Sequence, residues 1–127
     1  EIDVTRSNVA WYIKTTQEKL DLIKEVIDWT KSENKNHVNN LVAYTLVLRI
    51  RTLHIIKKLI KNEPYSKREF VKLIRDVSKS QNAYEGYLIV KNNLQKKGKK
   101  GISVEETERL YDYLTTQLDE VKKMLGF

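Results

Sequence analysis

LVAYTLVLRIRTLHIIKKLI, residues 41–60, is the stretch that decides the fold. At 100° per residue, Val42, Leu46, Leu53, Ile56 and Ile60 cover one side of a helix, and Leu41, Tyr44, Leu48, Ile55 and Leu59 extend it. Only a narrow strip of Val47, Arg51, His54 and Lys58 remains. A helix apolar around most of its circumference is surrounded by others, so this one, from Asn39 or Asn40 to Lys61, is expected at the centre of a bundle. Arg49 falls inside the apolar stripe. A guanidinium there needs a partner, and a structural ion pair with Asp21, Asp28 or Asp112 is the expectation.

The flanking segments are helical too. Val9, Ile13, Leu20, Ile23 and Ile27 recur at three- and four-residue steps, with Trp11 and Trp29 nearby, and predict an amphipathic helix over residues 8–31 with Ser7 as its N-cap. Polar residues 32–40, with four Asn, read as a loop. Beyond the central helix, Pro64 stops the ladder and Ser66 and Glu69 form a capping-box pattern. The helix it opens carries Phe70, Val71, Leu73, Ile74 and Val77. The pattern weakens over residues 78–81 and resumes with Tyr84, Tyr87, Leu88 and Leu94, which predicts two short helices with a kink. A basic loop, QKKGKKG at residues 95–101, leads to a second capping box at Ser103 and Glu106. Leu110, Leu114, Leu118, Val121 and Leu125 space the last helix, and Gly126 ends it.

Three long helices of roughly 22–25 residues each span about 33–38 Å, and the two short ones together cover a similar length. The expectation is therefore one all-α domain over residues 1–127. It is an up-down four-helix bundle with one helix broken in two, five helices in all. No apolar run reaches membrane-spanning length and no signal-peptide pattern opens the chain, so a cytoplasmic protein without a membrane partner is expected.

With 127 residues, no Cys and two His, the sequence excludes a disulfide framework, a thiolate zinc site and a cysteine nucleophile. No metal site, cofactor or catalytic residue is assigned. Phosphate-loop, HExxH and nucleophile-elbow motifs are missing. Glu105, Glu108 and Asp112 share a face of the last helix, but acidic residues in a first turn are what the helix dipole favours.

Charge is the informative feature. The net +7 is uneven: residues 36–101 hold fifteen Lys and Arg against four Asp and Glu, a local +11, between a −1 segment and a −3 segment. Such asymmetry points to an anionic partner. The densest element is Lys96, Lys97, Lys99 and Lys100, which can neutralise phosphates without reading bases. Arg51, His54 and Lys58, on one polar strip of the central helix, could add phosphate contacts. Tyr84 and Tyr87 could stack bases, yet their spacing beside Leu88 reads as core.

The layout of a central apolar helix, two short helices, a polar loop and a final capped helix resembles the HEPN superfamily over residues 36–125. Its signature is an Arg, a polar residue and a His four to six residues after the Arg, just before the last long helix. Here Lys91 stands in the place of the Arg, Asn92 matches the polar residue, and Lys96 or Lys97 stands where the His would be. The run from Arg49 to His54 fits the spacing as well, but mid-helix, where residues five apart point about 140° apart. The resemblance implies a small bundle of the kind found beside minimal nucleotidyltransferases in toxin–antitoxin pairs. Some of its members are metal-independent ribonucleases, and without the His it implies a degenerate, non-catalytic member that binds through residues 91–100.

The expected function is thus binding of nucleic acid (RNA or DNA) or nucleotide phosphates through Arg51, His54, Lys58, Lys91, Asn92, Lys96, Lys97, Lys99 and Lys100. One alternative is a helical protein-interaction subunit or antitoxin-type partner, including a homodimer. The other is a metal-independent ribonuclease using Lys91, Asn92 and His54.

Overall fold

A computed structural model describes residues 5–94 and 101–127. Its elements are α1 (Arg6–Ser32), β1 (His37–Val38), α2 (Asn40–Ile60), α3 (Lys67–Ser78), α4 (Asn82–Lys91), β2 (Ile102–Ser103) and α5 (Val104–Leu125). The chain is an all-α bundle of five helices, with α3 and α4 forming the broken rod.

Local chemistry explains most boundaries. Ser66 accepts from the Glu69 amide at 3.2 Å and starts α3. The capping box of α5 is complete, with the Ser103 hydroxyl accepting from the Glu106 amide at 3.1 Å and the Glu106 carboxylate accepting from the Ser103 amide at 3.0 Å. Gly126 closes α5 in the left-handed region. Lys79, at φ 59°, breaks the rod between α3 and α4. The hydroxyl of buried Ser78 fastens that break by donating to the carbonyls of Ile74 and Ser80.

Side-chain bridges give the directions. Tyr12 donates to Thr52 at 2.7 Å, so α1 and α2 run opposite ways. Lys31 meets Glu108 at 2.6 Å, which pairs the end of α1 with the start of α5. Lys57 meets Glu120 at 2.7 Å late in both α2 and α5, and Arg109 near the start of α5 donates to the Ser78 carbonyl that ends α3. Up, down, up and down is the resulting order, with α2 and α5 between the others.

The structure corrects several expectations. Thr5, not Ser7, caps α1, accepting from the Asn8 amide at 3.1 Å. Residues 32–40 are not wholly loop: β1 pairs antiparallel with β2, His37 opposite Ser103 and Val38 opposite Ile102. The cause is burial, since Val38 and Ile102 both plug the core at one end of the bundle. Val47 is fully buried rather than on the polar strip of α2, and Leu41 and Leu59 stay exposed near its ends. Leu94 lies outside α4, because Asn92 caps that helix and Asn93 turns left-handed at φ 53°.

Arg49 has no carboxylate partner among the described residues. Its guanidinium donates to the Thr15 hydroxyl at 2.8 Å and lies 4.7 Å from the centre of the Tyr12 ring. The ring's negative face and the hydroxyls of α1 replace the expected ion pair. Among the described residues, no helix is long and apolar enough to cross a membrane.

Gly101 is the tightest point of the ribbon. Its φ is +93°, and a Cβ there would lie 1.9 Å from the Val38 carbonyl oxygen. Gly101→Ala should therefore lower stability in urea unfolding by about 2 kcal/mol or more. Gly126→Ala, where a Cβ meets nothing, should cost about 1 kcal/mol for its left-handed backbone alone. Equal costs at the two positions would contradict a clash at the ribbon.

Candidate nucleic-acid interface

The basic strip of α2 faces a tyrosine strip of α4, and one glycine brings them together. A Cβ on Gly86 would lie 2.7 Å from the Asn40 side-chain oxygen and 3.3 Å from the Ala43 Cβ, so α4 sits directly on the first turns of α2. At this separation Tyr44 of α2 stacks on Tyr87 of α4, with centroids 5.5 Å apart and planes 15° apart. Tyr84 packs beside Tyr87 at 5.5 Å, and the Lys91 ammonium lies 5.7 Å from the Tyr87 ring centre. On α4 these residues follow i, i+3 and i+7, which puts them on one face.

Arg51 lies seven residues, about two turns, beyond Tyr44 on α2. Its guanidinium is half-buried, 5.5 Å from the Tyr65 ring centre, and makes no ion pair among the described residues. Burial pushes the Tyr84 and Tyr87 phenols above the usual tyrosine value, neighbouring tyrosines add to this, and Arg51 opposes it. The phenols therefore remain neutral O–H groups around an uncompensated cation. Such a set presents charge, hydroxyls and aromatic surface to an anion.

His54 sits one turn further on, packed at 5.9 Å against Tyr65 and 5.8 Å against Phe70. Its Nε2 is buried and has no hydrogen-bond partner among the described residues. Burial lowers its pKa first and Lys58 and Lys57 lower it further, against a smaller opposing pull from Glu69. It is thus a neutral ring at pH 7, wedged between aromatics. Lys58 is turned toward Glu63 at 3.6 Å, at the far end of α2.

Lys91 and Asn92 are both exposed at the end of α4, where Asn92 is the C-cap. Lys96, Lys97, Lys99 and Lys100 lie outside the described residues. The structure brings Arg51 and Lys91 to either side of Tyr87, but holds Lys58 apart. The buried Nε2 of His54 does not share the exposed surface of Lys91 and Asn92. Tyr44 and Tyr65 are members of the face that the sequence did not single out. The available signal was the seven-residue step from Tyr44 to Arg51, masked because Tyr44 also extends an apolar stripe.

The neighbouring depressions are open rather than enclosed. One of about 230 Å³ is lined by Val71, Arg75, Gln81, Tyr84 and Glu85. Glu108, one of three carboxylates on a face of α5, is held by Lys31, and no group of three or more potential metal ligands occurs among the described residues. Compared with known proteins, the chain matches no family model, no curated protein and no solved structure.

The lowered pKa of His54 has a pH consequence. The unfolded chain takes up a proton near pH 6.5 while the folded one resists it, so the stability contributed by a neutral His54 is complete above that value and declines as pH falls below it. Urea unfolding between about pH 7.5 and 5.5 should show a loss that His54→Gln reduces. An identical loss in the variant would contradict the assignment.

Proposed function

We propose that this protein binds single-stranded nucleic acid on the α2–α4 face, with Arg51 and Lys91 contacting phosphates and the tyrosines offering stacking surfaces. The observation that carries this reading is Arg51, a half-buried cation with no counter-charge among the described residues, set beside Tyr65, Tyr84 and Tyr87. A guanidinium without a carboxylate partner keeps its donors for a ligand, and stacking residues beside it favour unpaired bases over a duplex. The local +11 of residues 36–101 supplies long-range attraction, and the lysines of residues 96–100 follow Lys91 directly in the chain. An open surface suits a strand better than a mononucleotide, which is normally enclosed.

The HEPN resemblance is compatible with this reading as a degenerate, non-catalytic member that keeps a binding role. The buried Nε2 of His54 offers no support for a ribonuclease assembled from Lys91, Asn92 and His54.

Fluorescence anisotropy with labelled single-stranded RNA, single-stranded DNA and duplex DNA tests the proposal. Binding should weaken steeply between about 50 and 200 mM salt, and single strands should bind more tightly than duplex. Arg51→Gln should reduce affinity about tenfold and lower the salt slope by about 0.7–0.9. Absence of binding at low salt, salt-insensitive binding or a preference for duplex would overturn the reading.

A further inference from the structure

The opposite side of the molecule makes a different demand. Trp11, Leu22, Val26 and Trp29 on α1 are 61%, 55%, 37% and 56% exposed. They are not scattered. Eighteen residues make five turns, so Trp11 and Trp29 stand in line about 27 Å apart, with Leu22 about 20° from that line and Val26 at its edge. The buried stripe of Val9, Ile13, Leu20, Ile23 and Ile27 occupies the other side of the same helix. Both tryptophans of the chain are therefore held in water on one unpartnered face. Single exposed apolar residues are ordinary, but an aligned set with two tryptophans marks an interaction surface.

The charges beside the stripe say what fits it. Glu18 and Glu25 flank Leu22, and neither makes an ion pair or hydrogen bond among the described residues. Asp21 alongside is engaged only by the neutral amide of Gln17. Asp28 is already taken by Lys24 at 3.1 Å, and Lys35 covers Trp29 at 5.0 Å. The middle of the stripe is thus apolar with an acidic border, on a chain whose other surfaces are basic.

We infer that α1 docks a basic amphipathic helix of another protein, with its apolar residues on Leu22, Val26 and the two tryptophans and its Lys or Arg beside Glu18 and Glu25. A second copy of the chain fits less well. Antiparallel pairing that sets Trp11 against the other copy's Trp29 crowds Glu18 and Asp21 of both copies at the centre, where like charges repel. An anionic lipid surface meets the same repulsion. A partner helix with cations along its border satisfies the carboxylates and covers the stripe together, in the helix-on-helix mode. This site is independent of the α2–α4 face.

Because both tryptophans lie on the stripe, intrinsic fluorescence reports on it selectively. Titration with a Leu/Lys amphipathic peptide of about 21 residues should shift the emission to the blue, and a Leu/Glu peptide of the same pattern should bind about tenfold more weakly. Glu18→Lys combined with Glu25→Lys should reverse that preference. Leu22→Asp, an exposed position whose variant should keep its circular dichroism spectrum, should abolish the shift. Sedimentation should show a monomer. Equal affinity for the two peptides, no shift with either, a dimer held by α1, or a shift on phosphatidylcholine or phosphatidylglycerol vesicles would overturn the inference.

Discussion

The close approach of α4 to α2 at Gly86 is the constraint on which the proposed face depends. With no side chain at that position, the two backbones come near enough for Tyr44 to lie flat on Tyr87. That stack fixes the axis along which Tyr84, Lys91 and Arg51 are arranged. The same contact buries Ala43, Ala83 and Gly86 together, so the platform is continuous with the hydrophobic core rather than an addition to it. Aromatic rings held this way lose little freedom when a ligand arrives, which favours binding.

Charge is segregated on this framework for recognition more than for stability. The cross-helix ion pairs of Lys31 with Glu108 and Lys57 with Glu120 are largely exposed, and such pairs contribute little to folding. Their effect is to neutralise one part of the surface. Arg51 and Lys91 lie away from them and are left without counter-charges among the described residues. The acidic border of α1 faces elsewhere. A nucleic acid drawn to the α2–α4 face is repelled from α1, and the two surfaces can be occupied together.

Much of this architecture was legible in the sequence, because helical periodicity and capping boxes are local signals. The stripe from Val9 to Ile27, the kink near Lys79 and the complete capping box at Ser103 needed no tertiary information. The misread features needed it. Val38 and Ile102 form a ribbon only because each plugs the core beside the other. Val47 is buried because α4 and α5 leave no open side there, whatever its neighbours on the wheel. Arg49 found hydroxyls and a ring in place of a carboxylate, a choice set by which residues of α1 happen to lie opposite. For the site, the local charge excess and Arg51 were readable, whereas Tyr44 and Tyr65 were hidden. A tyrosine at helical spacing looks the same in sequence whether it fills a core or walls a surface.

The central claim is that Arg51, Lys91 and the surrounding tyrosines form one binding face. The most direct measurement is the titration of the isotopically labelled protein with a short single-stranded oligonucleotide, followed by nuclear magnetic resonance. The account predicts that shifts concentrate on Tyr44, Arg51, Tyr65, Tyr84, Tyr87 and Lys91, with α1 unmoved. Shifts spread evenly over all exposed lysines, or centred on α1, would contradict it.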